Sequence, residues 1–277
     1  MARRPLTPER AFPVTAGAPH VRGFWTLDRV TFALLAALAP SFVLAVAFAG
    51  TGLLAPALAA LGTVCFWQFA FSRWARRPMT PSGVVTALVI SVLVPPSAPL
   101  WQIALAASFG IVIGEQIFGG RGRNFVSPAT LALAFLMFSF PDAGYDQAGI
   151  RGWEAPLAGG VLLAALGLLS WRIAVSGLLA ALATALALGV SAPAETILSG
   201  SFLFALVFLA GDPVAAPDTN PGRWIYGLVI GGLAMLGAGA LKGIIFACLI
   251  GSIFAPLIDQ IVIWAHLRNR RRRHDRA

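Results

Sequence analysis

The chain has 277 residues, of which 58% are hydrophobic and only 11% charged, with a formal net charge of +9. Soluble domains carry about 25% charged residues, and no soluble core of this length hides so much apolar surface. Apolar runs of roughly 20 residues recur from end to end, each long enough to cross a hydrocarbon core of about 30 Å. The composition specifies an all-α polytopic membrane protein.

The N-terminal stretch MARRPLTPERAFPVTAGAPHVRGFW is basic. It lacks the short apolar core and small-residue cleavage site of a signal peptide, so residues 1–28 read as a cytosolic tail. Ten spans follow, near 29–50, 52–72, 83–96, 99–118, 126–140, 156–170, 174–190, 196–210, 223–239 and 244–265. Together they make a membrane domain over 29–266, with halves at roughly 29–150 and 151–266, and a second basic tail at 267–277. The third and fifth spans are short for a full crossing, and short, Gly/Pro-interrupted segments often flank a binding site.

Charge tests the count. With the N-terminus inside, eighteen of the twenty Lys and Arg residues fall on inner segments or tails, and only Arg151 and Lys242 fall outside. Asp142, Asp146, Glu154 and Glu195 also fall outside. That asymmetry is the positive-inside pattern, and it puts both termini in the cytoplasm. The tail RNRRRRHD, directly after a span, faces anionic lipid rather than nucleic acid. Cys65 and Cys248 lie far apart in apolar runs and read as small buried hydrophobes. Trp101, Trp153, Trp171, Trp224 and Trp264 lie near span ends, as an interfacial aromatic belt requires.

A shift of 117 residues aligns two segments without a gap. Ser82-Gly83 falls on Ser199-Gly200, Pro96 on Pro213, and GIVIG at 110–114 on GLVIG at 227–231. The shift moves span three onto span eight, five helices on. Five is odd, so the two copies lie in the membrane in opposite senses, as two inverted five-helix repeats. In such folds a site forms near the midplane, where broken helices of the halves meet.

The stretches GDPVAAPDTNPGRWIYGLVIGGL, IFAPLIDQIVIWAHLRNRRRR and LVPPSAPLWQIALAASFGIVIGEQIFGGRGRNFVSPATLALAF resemble one membrane-protein family. It comprises the B-type membrane component of the sodium-pumping NADH:quinone oxidoreductase and the D-type membrane component of the Rnf electron-transport complex. The resemblance implies an electron-carrying or ion-coupling subunit of the bacterial inner membrane, working with other subunits of its complex. It also implies flavin. One flavin mononucleotide is held through its phosphate on a threonine of a Ser-Gly-Ala-Thr motif after the fifth helix, and a second, non-covalent flavin lies on the cytosolic side. Here the corresponding outer stretch, PDAGYDQAGIRGWEAPLAGG at 141–160, has neither threonine nor serine. A phosphoester needs a hydroxyl, so no covalent FMN is expected, and only a non-covalent flavin (FMN or riboflavin) remains open. The central motif also carries Ser127 where the sodium-pump form has asparagine.

Five residues stand out. Asp212, beside Pro213 at the inner end of span eight, is either a cation or flavin ligand or a capping aspartate. Asp259 lies inside the last span among apolar neighbours and should face the bundle, paired or binding an ion. Glu115 is either an ion-coupling carboxylate or an interfacial partner of Arg121 or Arg123. Asn124 and Ser127 follow the Gly-rich FGGRGR turn. They either line a flavin pocket, where an amide offers both donor and acceptor, or cap span five. No phosphate loop, dinucleotide fingerprint, nucleophile–base set or metal-ligand cluster appears, so chemistry must come from a cofactor or partner subunits. Two readings follow: a membrane subunit of a flavin-linked, cation-translocating electron-transport complex, or a transporter or channel for a small solute such as a flavin.

Overall fold

Glycine and proline mark the helix ends. The computed structural model describes residues 25–76, 80–145, 150, 152–237 and 240–274. The tail to residue 24 and positions 146–149 and 151 of the outer stretch lie outside the described residues. Helix α1 (Leu27–Ala49) ends where Gly50 takes φ 68°, and a 3₁₀ turn, Gly50–Leu53, leads into α2 (Leu54–Ala75). Then come α3 (Ser82–Leu93), α4 (Leu100–Ile111) with a π turn at Val112–Gln116, and α5 (Pro128–Ser139). After the outer stretch lie α6 (Glu154–Ala165), α7 (Trp171–Ala187), the short α8 (Pro193–Ile197) and α9 (Gly200–Ala205), whose π turn spans Leu206–Ala210. Finally come α10 (Asn220–Leu236) and α11 (Ala240–His274).

Among the described residues there is no strand, and apart from α8 each helix matches one of the ten apolar runs. An all-helical chain whose outer face exposes Phe32, Val43, Leu58, Leu186 and Trp264 is consistent with a membrane protein. By length and composition alone, two helical stretches suffice to cross a bilayer, Leu27–Ala75 (which includes the turn at Gly50) and Leu241–Arg268. The others are shorter. The run at 196–210 is broken because Ser199 is extended and its side chain accepts from Phe202 N, so α9 starts afresh there. At the other end, α11 does not stop near residue 265: its backbone stays helical through most of the basic tail, to His274.

The short helices lie innermost. Every residue of α3 but Val84 and Leu88 is buried, and from Gly200 to Ala210 only Ser201 is not. Both segments are thus enclosed by neighbouring helices on almost every side. Around them α1 packs on α6 and α3, α2 on α3 and α4, α4 on α5, α5 on α11, α7 on α10, and α10 on α11.

With lipid as apolar as leucine, these contacts are set by small residues that let backbones approach. A Cβ at Gly110 would lie 2.4 Å from Pro128 O, and one at Gly114 2.9 Å from Pro128 Cα, so the first GxxxG seats α4 on α5. The second seats α10 on α7: a Cβ at Gly227 would meet Ser176 Oγ, and one at Gly231 Gly177 O. The two aligned motifs thus grip different neighbours. Gly231→Ala should destabilise the protein by about 1–3 kcal/mol through overpacking. Gly232→Ala, where only Thr184 Oγ1 comes within 3.7 Å, should be neutral or stabilising, because alanine is the better helix former. Thermal unfolding in detergent compares the two, and equal melting temperatures would reject the tight α7–α10 contact.

Candidate functional site

Two wide turns deliver the two motif loops to one place. At the end of α4, Ile117 N donates to Val112 O over 3.0 Å, the five-residue spacing of a π turn. Such turns often sit at functional sites. The chain then reverses through Gly119, Gly120 and Gly122 at φ 110°, 97° and 91°, a region side chains rarely adopt. Asn124 clamps this loop: its Oδ1 accepts from Gly122 N (3.1 Å) and its Nδ2 donates to Val126 O (2.9 Å). Ser127 is the residue before α5, with Pro128 in the first turn, yet its side chain makes no capping bond. Both are buried. Asn124 therefore holds the loop rather than capping α5, while Ser127 lines the cleft described next.

In the other half, Gly211 N donates to Leu206 O, closing the π turn of α9, and Asp212 follows. Its Oδ1 accepts from Val214 N (3.1 Å) and from Arg121 Nη2 (2.9 Å). The Arg121 and Asp212 side chains are 8% and 4% exposed. A buried charge persists when it is paired and hydrogen-bonded, and here each loop supplies half of the pair. The cleft beside it, bounded by Val85, Thr86, Ser127, Phe208, Arg121 and Asp212, holds about 20 Å³, room for about one water. Across the Gly211–Pro217 loop lies a larger void of about 140 Å³ against Ser170, Ile173 and Arg223.

The other two carboxylates are engaged differently. Glu115 is fully buried in the π turn of α4. Neither arginine of the loop holds it by an ion pair: Oε1 accepts from Ser82 Oγ (3.4 Å) and Gln116 Nε2 (3.2 Å), and Arg121 reaches across to Asp212 instead. Asp259 on α11 is half-buried, and its partners are protein groups. It accepts from Asp218 N (2.8 Å), Thr219 N (3.1 Å) and Thr219 Oγ1 (2.5 Å), which ties α11 to the start of α10. A Cβ at Gly222 would lie 2.4 Å from Thr219 Oγ1 and 2.8 Å from Asp259 Oδ1, so that start needs glycine. Thr219 and Gln68 are site residues that the sequence alone does not single out. Arg121 enters there as a partner for Glu115 and not for Asp212, and Ser82 only through its alignment with Ser199 under the 117-residue shift.

A profile of the NQR2, RnfD, RnfE family matches residues 14–156 and 148–267. The chain belongs to this family. Similar members include proteins named as the B-type component of Na(+)-translocating NADH-quinone reductase. That of Pseudomonas aeruginosa (strain LESB58) is 30% identical over 263 residues, covering 74% of this chain and 65% of that protein. That of Stutzerimonas stutzeri (strain A1501) is 31% identical with the same coverage, and that of Yersinia pestis is 30% identical over 270 residues, covering 75% and 65%. The chain thus spans just under two thirds of these family members. Both loops and all five candidate residues lie inside the matched segments.

Because the pair is buried, Arg121→Ala should cost about 3–5 kcal/mol by stranding a carboxylate. Adding Asp212→Asn should recover much of that loss. Melting in detergent reads this cycle, and additive single effects would show that the two side chains are not coupled.

Proposed function

We propose that the chain is a multi-pass subunit of a flavin-linked electron-transport complex in the bacterial cytoplasmic membrane, where electron transfer is coupled to cation movement. The observation that carries this reading is the meeting of the Gly-rich turn and the Asp-Pro turn, 91 residues apart, at a buried ion pair. The family membership and the relatives named as reductase subunits support it. The chain has no donor-binding motif of its own, so other subunits of the complex bring the donor.

The halves 29–150 and 151–266 are inverted repeats in this reading, with both termini cytoplasmic. In support, α2, α4 and α5 pack in the same order as α7, α10 and α11, and α1 meets its counterpart α6 as α5 meets α11. Annular lipid covers the exposed apolar side chains. Of the three ion-coupling candidates, Asp212 already has Arg121 as counter-cation and Asp259 is held by three donors. Coupling therefore rests on Glu115.

A flavin does not fit among Arg121, Ser127 and Asp212 as they stand. Sites for ligands of that size run to about 300–1,000 Å³, against about 20 Å³ here. Any non-covalent flavin belongs at the mouth of the cleft or against a partner subunit, and residues 141–160 offer no threonine or serine for a covalent one, while the phenolic hydroxyl of Tyr145 donates to Gln102 Oε1. The missing attachment threonine favours the second reading, a transporter or channel for a small solute such as a flavin.

The test is purification from the native membrane in mild detergent through a tag on this chain, followed by acid precipitation. The expected outcome is co-purification of oxidoreductase subunits, with flavin released into the acid supernatant. Colour kept in this chain's pellet band would refute the absence of covalent FMN. A chain recovered alone and colourless would favour solute transport.

A further inference from the structure

Glu115 has an unusual setting. It is 0% exposed, and its Oε2 is buried without a hydrogen-bond partner. Its Oε1 is reached by a line of side chains that begins near the surface. Thr80, half-buried in the α2–α3 connection, lies 2.8 Å from Ser82 Oγ, and Ser82 Oγ lies 3.4 Å from Glu115 Oε1. Gln68 Nε2 also reaches Ser82 Oγ, at 3.5 Å. A Cβ at position 83 would lie 2.5 Å from Gln68 Oε1, so Gly83 is what lets the amide sit there.

Donor and acceptor roles fix the direction of this line. An amide nitrogen only donates, and a carboxylate only accepts. The single Ser82 proton therefore points at Glu115, both Ser82 lone pairs are taken, and Thr80 donates to Ser82. The two hydroxyls form an oriented chain from a half-exposed residue to a buried carboxylate. The site has the wrong polarity for a metal cation, because a hydroxyl proton and the Gln116 amide point at the carboxyl group. Beyond these, the charged groups that act on Glu115 are Arg121 and Asp212, which already pair with each other.

We propose that Thr80, Ser82 and Glu115 form a proton-loading path, with Glu115 as the terminal acceptor. This deepens the coupling role given to Glu115 above by naming its ion, while its geometry stands apart from any flavin. A proton from water binds Thr80 Oγ1 as Thr80 passes its own to Ser82 Oγ. Ser82 passes its proton to Glu115 Oε1, and the carboxylate becomes a neutral acid. Each hydroxyl breaks one O–H bond and gains another, so one proton has moved and no electron. Rotation of the two hydroxyls resets the path.

Infrared spectroscopy on the full chain in detergent tests this. Expected is a carboxylic acid C=O band that grows on a jump to low pH and is missing in Glu115→Gln. Ser82→Ala and Thr80→Val should slow its growth roughly 10²-fold, the low end of what a positioned proton-transfer group contributes. Ser82→Thr, which keeps the hydroxyl, should stay close to the parent rate. A band absent from the parent protein would overturn the proposal, as would growth in Ser82→Ala as fast as in the parent. So would a band that responds to sodium at fixed pH. No flavin, donor or partner subunit enters the measurement, so failure of the electron-transport reading would leave its result unchanged.

Discussion

Close backbone contact between helices is the constraint on which everything else here rests. In lipid there is no water to drive apolar faces together, so helices hold where small residues let them touch. Gly110 and Gly114 bring α4 onto α5, and Gly227 and Gly231 bring α10 onto α7. The first contact holds the stem of the Gly-rich loop, and the second lies on the helix that follows the Asp-Pro loop. Arg121 reaches Asp212 because both stems are held this closely.

The ion pair then works as a clasp between two parts of the chain that share no local structure. Its desolvation cost is offset by geometry, with Asp212 accepting a charged and a backbone donor at once. Asn124 spends its amide on the same loop, and Asp259 spends both oxygens on the start of α10. Polar groups that look like ligands in the sequence are thus largely consumed in holding irregular backbone, which in a membrane has no water to satisfy it. Among the three candidate carboxylates Glu115 is the exception, with one buried oxygen left over.

Much of this was legible in the residues. Apolar runs marked the helices because the bilayer imposes their length, and glycine and proline marked the ends. The Gly-rich and Asp-Pro motifs marked the two loops that Arg121 and Asp212 join. What the residues did not disclose was pairing. Glu115 and Arg121 are six positions apart and look like natural partners, but a π turn carries Glu115 inward and leaves Arg121 to a residue 91 positions away. A π turn has no sequence signature of the kind that proline gives a kink. Nor could the 117-residue shift reveal that its two aligned GxxxG motifs grip different neighbours, since matched spacing in a sequence does not report contact. The end of α11 was hidden for a different reason: arginine is a good helix former, and a charge run after a span need not be a coil.

That last helix has a mechanical meaning. Its 35 residues extend about 52 Å at 1.5 Å per residue, well beyond a hydrocarbon core of about 30 Å. The surplus is a helical post longer than such a core can hold, continuous with the segment that carries Asp259 and packs on α5, α9 and α10. A tilt or twist of α11 within the bundle would swing that post as one piece. Rearrangements at the buried ends of α9 and α10 therefore have a direct lever arm into the aqueous phase.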